Sequence, residues 1–223
     1  MRCLLLGAAA AAVLLTACRA PAVRSTAPAA SMSVEQLAAA VAEDARRSDT
    51  ENDAKIRERL AADAGREAQA CLERAPQAAA CLYYHAIALG LEARAHPLRA
   101  GEALKSMLDA LAGAEAADAG IDEAGPARVK ALVLIKAPAW PLGPGDADAG
   151  LASARAAVSL KPQYPPNVLA LAEALAKTSD TRGAREAYGR ARELCQALPP
   201  SRDRDDWLRQ AEQALGRLTA PSH

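Results

Sequence analysis

The sequence predicts an all-α protein: about nine helices stacked as antiparallel hairpins in a short α-solenoid. Three observations predict it. Apolar residues make up 51% of the chain, mostly alanine and leucine, while aromatics are 3% and phenylalanine is absent. Those are the strongest helix formers. Apolar positions recur at i, i+3, i+4 and i+7 between regularly placed prolines, glycines and Ser/Asp pairs, and no segment alternates with the period of a strand. The 223 residues suffice for one domain with a real core or two very small ones. Lys+Arg and Asp+Glu each number 27, so the net charge is zero and the basic field needed by a nucleic-acid or polyanion binder is missing.

Residues 1–17 read as a cleaved lipoprotein signal peptide. Arg2 is the positive start, and Leu4 to Leu15 is an apolar run of signal length, too short to span a bilayer. It ends in Leu15-Thr16-Ala17-Cys18, the bacterial lipobox pattern of an aliphatic residue, two small residues and a cysteine whose thiol takes diacylglycerol. An ordinary secretory signal with a chance cysteine is the alternative; position and context together favour lipidation of Cys18. Two or three acyl chains anchor stably where one is marginal. Arg19, rather than aspartate, at the second mature position resembles outer-membrane sorting. Residues 18–32, rich in Ala, Pro and Ser, form a tether with a reach on the order of 20 Å. The folded part, residues 33–223, is expected at the periplasmic face of the outer membrane, held by its lipid alone.

The helices follow in order. Ser33 and Gln36 form a capping box opening a helix to about Arg47, which Ser48-Asp49-Thr50 interrupts. A second runs from about Asp53 to Arg74 with Ile56, Leu60, Ala64, Ala68, Cys71 and Leu72 on one side, and Pro76 bars its continuation. The third, Gln77 to Ala95, carries Leu82, Ile87, Ala88 and Leu91 and stops before Pro97. The fourth runs from about Leu98 to Ala117 through Leu104, Met107, Leu108 and Leu111. Asp118 to Gly125 is a loop with helix-stop glycines at 120 and 125, and Pro126 opens a fifth helix to Lys136. After two further hairpin units, Ser201 caps a last helix whose first turn holds Asp203, Asp205 and Asp206; its Trp207, Leu208, Ala211, Leu215 and Leu218 close the open end of the stack.

The stretch from Gly125 to Gln196 states one pattern twice: an apolar helix, a Gly/Ser-Asp turn, a helix dotted with small residues, then proline. The second copy pairs the stripe Val168, Leu171, Ala172, Leu175 with Ala184, Tyr188, Ala191 across Ser179-Asp180. The first keeps Gly145-Asp146, Gly150, Ala154, Ala157 and Pro162 at the same offsets. Small residues there let antiparallel helices approach closely. This is the roughly 34-residue helix-turn-helix grammar of tetratricopeptide (TPR) repeats. Tyr164, Pro165, Pro166 and Asn167 start the last repeat, with Asn167 as its candidate cap.

Candidate sites are few. Cys71 falls at the end of one helix and Cys81 at the start of the next, so a hairpin brings them together; in an exported protein a disulfide is favoured over two free thiols. A zinc site with His85 is the third reading, though the C-x9-C-x3-H spacing fits no familiar structural pattern. Cys195 reads as a small core residue. HExxH, GxSxG, GxGxxG and Walker motifs are all missing, so an enzyme is not expected, nor a metal, nor any cofactor beyond the covalent lipid on Cys18. The connection Ala137 to Asp146, APAWPLGPGD, is longer and stiffer than an ordinary repeat turn. It either plugs the end of the stack or presents Trp140 to a partner. Tyr83 and Tyr84, about 100° apart on one helix, can place one ring in the core and the other on a concave surface.

The segments CLYYHAIALGLEAR, Arg128 through KAPAWPLG to Gly145-Asp146, and SLKPQYPPNVLALAEAL together resemble the TatT-like lipoproteins, the T-component of tripartite ATP-independent periplasmic (TRAP-type) transporters, over roughly Cys71 to Cys195. The resemblance implies a TPR-like solenoid with an apolar channel for a hydrophobic ligand and a periplasmic solute-binding protein as partner. A homotrimer is among the assemblies it implies. By motif match, Tyr84, Arg128, Trp140 and Leu142 fall in the blocks that shape the channel, and the likeness places a specific site beside the WPLG loop. Ala154 departs from the large residue usual at its position, so a lumen here would differ in shape. The competing expectation is an envelope assembly scaffold whose concave face binds peptide segments in an open groove.

Overall fold

The computed structural model describes residues 29–219, so the signal peptide, Cys18 and nearly all of the tether lie outside the described residues. Among those residues the fold is all-helical, with nine α-helices and one isolated β-bridge. They are α1 (Val34–Thr50), α2 (Ala54–Arg74), α3 (Ala79–Ala95), α4 (Ala100–Ala117), α5 (Ile121–Lys136), α6 (Ala147–Leu160), α7 (Pro165–Lys177), α8 (Thr181–Ala197) and α9 (Arg202–Thr219). Each packs against its neighbour in sequence, and α3 also touches α1 and α5, so the chain is a solenoid-like stack of antiparallel hairpins. No described helix is long and apolar enough to cross a membrane.

Local chemistry sets the boundaries. Ser33 and Gln36 form the capping box, with Gln36 N donating to Ser33 Oγ at 3.3 Å and Ser33 N to Gln36 Oε1 at 2.8 Å. Asp53, Asp146 and Asp180 cap α2, α6 and α8 through their carboxylates, and Ser201 Oγ accepts from Arg204 N at the start of α9. Ser48-Asp49-Thr50 does not interrupt α1. Arg94 of α3 donates to Ser48 Oγ and pairs with Asp49 at 2.8 Å, which supports one more helical turn. Pro97 opens a single 3₁₀ turn, Pro97–Arg99, that delays α4 to Ala100.

The hairpin packing follows from residue size. α3 is buried on several sides, through Cys81, Tyr83, Ala86, Ala88, Leu91 and Ala93, because α1, α2, α4 and α5 all pack against it. Between α5 and α6, a Cβ on Gly150 would stand 2.5 Å from Ile135 Cγ2 and 3.3 Å from the Ala131 carbonyl. Only glycine lets the two backbones come this close. Cys71 and Cys81 are joined by a disulfide with Cα atoms 5.3 Å apart, tying the end of α2 to the start of α3. Closing so short a loop restricts the unfolded chain by about 3 kcal/mol. Cys195 is a free, fully buried thiol, and burial raises its pKa.

Antiparallel order gives the stack two ends. The disulfide end holds Ala29, the Cys71–Cys81 bridge, the start of α5, and the α6–α7 and α8–α9 corners. The tryptophan end holds the α1–α2 and α3–α4 corners and the Ala137–Asp146 loop, where Gly101 of α4 faces the Leu142 carbonyl.

Candidate functional site

The two ends carry different chemistry. At the tryptophan end the APAWPLGPGD loop folds on itself: Leu142 N donates to Ala139 O at 3.0 Å, Gly145 N to Pro138 O at 2.9 Å and Asp146 N to Leu134 O at 2.9 Å. Its Trp140-Pro141 bond is cis. A Cβ on Gly145 would lie 2.2 Å from the Ala137 carbonyl oxygen, so the closure depends on glycine. The loop does not plug the stack. Trp140 is 87% exposed and Leu142 78%, and Leu98, on the adjoining 3₁₀ turn, is fully exposed. Three large apolar side chains therefore stand in water at one end on a hydrogen-bonded support.

At the disulfide end sits a buried polar cluster. Asp118 to Gly125 is not a simple loop with stop glycines. Asp122, Glu123 and Ala124 take left-handed conformations, with φ of 48°, 56° and 65°, whereas no described glycine has positive φ. Each such residue costs on the order of 1–2 kcal/mol. The turn is held from below. Arg128 Nη1 donates to the Asp122 and Glu123 carbonyls, both at 3.1 Å, and to Asn167 Oδ1 at 3.0 Å; its Nη2 pairs with the Asp122 carboxylate at 2.7 Å. Asn167, fully buried, donates through Nδ2 to the carbonyls of Glu123, Ala157 and Lys161 at 2.9–3.2 Å. Asn167 is therefore not the cap of α7. Tyr164 is the capping residue, Pro165 and Pro166 follow without N–H groups, and Asn167 joins three segments from the first turn.

Aromatic rings complete the cluster. The Tyr83 hydroxyl donates to Asp122 Oδ2 at 2.6 Å, and its ring fills the space a Gly125 Cβ would need. Burial, then the Asp122 carboxylate, raises the Tyr83 pKa far above the ordinary phenol value. Tyr84 is half-buried and meets Tyr83 edge-on, with centroids 5.1 Å apart. The Arg128 guanidinium stands 5.2 Å over the Tyr164 ring, which meets Trp207 edge-on at 5.6 Å.

The four residues read from the family likeness thus fall into two groups. Arg128 lies with the tyrosines at the disulfide end, while Trp140 and Leu142 lie beyond the far end of α5; Arg128 and Lys136 alone are separated by about 12 Å of helix rise. The polar cluster lies at the opposite end of the stack from the WPLG loop. Sequence reasoning missed Asp122, Glu123 and Asn167. A proline pair directly before an asparagine was the available signal, since proline favours the first turn of a helix and so places Asn167 inside α7 rather than ahead of it.

Open clefts separate the helices. One of about 350 Å³ has a floor of Val158, Val168, Leu171 and Leu175 across α6, α7 and α8, rimmed by Arg155, Arg190, Asp180 and Glu186. Another of about 340 Å³ lies at the disulfide end, lined by Glu123, Lys161, Pro162, Gln163 and Tyr164. Among the described residues no three His, Cys, Asp or Glu side chains gather as a metal site, and the disulfide takes both cysteines of the zinc reading. Comparison with protein-family models and with curated proteins finds no match for the chain.

Proposed function

We propose that this is a non-enzymatic lipoprotein of the bacterial envelope, anchored to the outer membrane through Cys18, that docks a partner protein through the Leu98–Trp140–Leu142 tip. The partner class it suits is a periplasmic solute-binding protein, as for an accessory of TRAP-type transporters. One observation supports this reading most: Trp140 and Leu142 are exposed on a loop closed by its own backbone hydrogen bonds, and Leu98 is exposed on a 3₁₀ turn at the same end of the stack. A folded protein gains nothing internally from that arrangement. Burying the three in a complementary pocket recovers roughly 5 kcal/mol or more of apolar transfer energy. Because the loop is ordered before contact, little of that gain is lost to ordering. Tryptophan is also among the residues most enriched in interface hot spots.

The experiment is affinity capture of the lipidated protein from an envelope extract, native against a Trp140→Ser/Leu142→Ser variant. The expected result is a solute-binding protein retained by the native chain and lost from the variant. Equal recovery by both removes the tip from the function, and recovery of no solute-binding protein by either removes the transporter role.

The open groove across α6, α7 and α8 supports a second reading, an assembly scaffold that binds peptide segments of envelope proteins. Leu171→Glu in that floor is expected to abolish capture under this second reading and to leave it intact under the first.

A further inference from the structure

The cleft at the disulfide end is separate from the tip and takes no part in docking there. Its lining is unusually well fixed for a surface feature, because three of its five residues are held by two buried polar side chains. The Glu123 carbonyl accepts from both Arg128 and Asn167, at 3.1 and 2.9 Å, and the Lys161 carbonyl accepts from Asn167 at 3.1 Å. The Tyr164 ring is fixed between Arg128 and Trp207. The left-handed backbone of Asp122–Ala124 is what carries Glu123 to the cleft, and it is maintained at a cost by the same network. Strain of this kind, held in place by surrounding structure, is characteristic of ligand-binding segments.

Two opposite charges stand at the mouth. Glu123 Oε2 and Lys161 Nζ are 3.4 Å apart, each about half exposed, and Pro162 and Tyr164 offer apolar surface beside them. A volume of about 340 Å³ is at the small end for ligand sites. A ligand bearing only one charge would pair with one of these residues and leave the other without its partner. A molecule bearing both charges on adjacent carbons satisfies each.

We propose that this cleft binds a small zwitterion of the α-amino-acid class with an apolar side chain. Its ammonium group pairs with Glu123, its carboxylate with Lys161, and its side chain lies along Tyr164 and Pro162. One water-exposed ion pair is thereby replaced by two that the ligand partly shields. The proposal requires nothing of the tip or of the lipid anchor.

The test is titration of L-phenylalanine into the purified full chain, followed by NMR chemical-shift changes. Phenethylamine, which lacks the carboxylate, and hydrocinnamate, which lacks the ammonium, are the comparison ligands. The expected result is saturable binding with Kd of about 1 mM. Glu123→Gln and Lys161→Met are each expected to weaken it about fivefold, the scale of a half-exposed charge pair. Both side chains face water, so unfolding midpoints close to the native value certify these variants as folded. Failure to saturate by about 20 mM overturns the proposal. So does binding of either singly charged analogue as tight as that of phenylalanine, or binding unchanged in both variants.

Discussion

Replacing Arg128 by methionine removes the support of the left-handed turn while keeping most of the side chain's apolar length. Four hydrogen bonds disappear, to the carbonyls of Asp122 and Glu123, to Asn167 Oδ1 and to the Asp122 carboxylate. They do not weigh equally. The Asp122 side chain is 37% exposed, so water recovers part of that ion pair. The Glu123 carbonyl keeps Asn167 Nδ2. Asn167 is fully buried, however, and its Oδ1 loses the guanidinium with no solvent to replace it. An acceptor stranded in this way costs about 1–3 kcal/mol. Loss of support for three left-handed residues and of the guanidinium over Tyr164 adds to this. The expected loss is about 3–5 kcal/mol, the range for breaking a buried charged network. Urea unfolding followed by far-ultraviolet circular dichroism measures it. Because Arg128 and Asn167 share a bond, Asn167→Ala in the Arg128→Met background should cost at least about 1 kcal/mol less than it does alone. A loss below about 1 kcal/mol for Arg128→Met, or strict additivity of the two changes, would refute the role assigned to the network.

Two further outcomes follow from the packing. Ala substituted at Gly65 or Gly189, helical positions with nothing within 4 Å of a new Cβ, should stabilise by about 0.5–1 kcal/mol each. Ala at Gly145, where the Cβ meets the Ala137 and Pro138 carbonyls at 2.2 and 2.8 Å, should destabilise by about 1–3 kcal/mol; calorimetry showing the same sign at all three sites contradicts the geometry. Burial raises the pKa of Tyr83, Tyr84, Tyr164 and Tyr188, the last to about 12. The folded chain then keeps protons that the unfolded chain releases near pH 10, so this stability is complete below about pH 10 and is lost as pH rises toward 12 and beyond. Phenolate absorbance should accordingly appear together with loss of helix; a full tyrosine titration near pH 10 in a still-helical protein would contradict it.

Much of the fold was legible because local rules fix it. The capping box at Ser33, the prolines at 76, 97 and 126, and the aspartates before α2, α6 and α8 act within a few residues of themselves. The small residues of α6 and α8 likewise announced close hairpins, and Gly150 against Ile135 is one such contact. The candidate site was legible only in part. Trp140 and Leu142 stood out by composition, but whether they turned inward or outward depended on how the loop closed on Pro138 and Leu134. Arg128 was singled out without the partners that give it a role, because Asn167 reaches it from α7 and Asp122, which it pairs with, is itself held by Tyr83 of α3.

The sequence by itself determined an all-α chain, the order and approximate limits of its helices, and the stacking of those helices as hairpins. Helix formation, capping and termination are short-range, and one apolar stripe per helix suffices to say that neighbours pack. Only the tertiary structure decided that α5 begins in a left-handed turn of three residues, none of them glycine. Local propensity opposes that conformation, and the buried Arg128, on the same helix, together with the buried Asn167 of α7 overrides it. Tertiary structure also decided that Tyr84 and Arg128 gather at one end of the stack while Trp140 and Leu142 stand past the far end of α5. The helix from Arg128 to Lys136 already separates the two groups by about 12 Å, because a helix rises only along its axis.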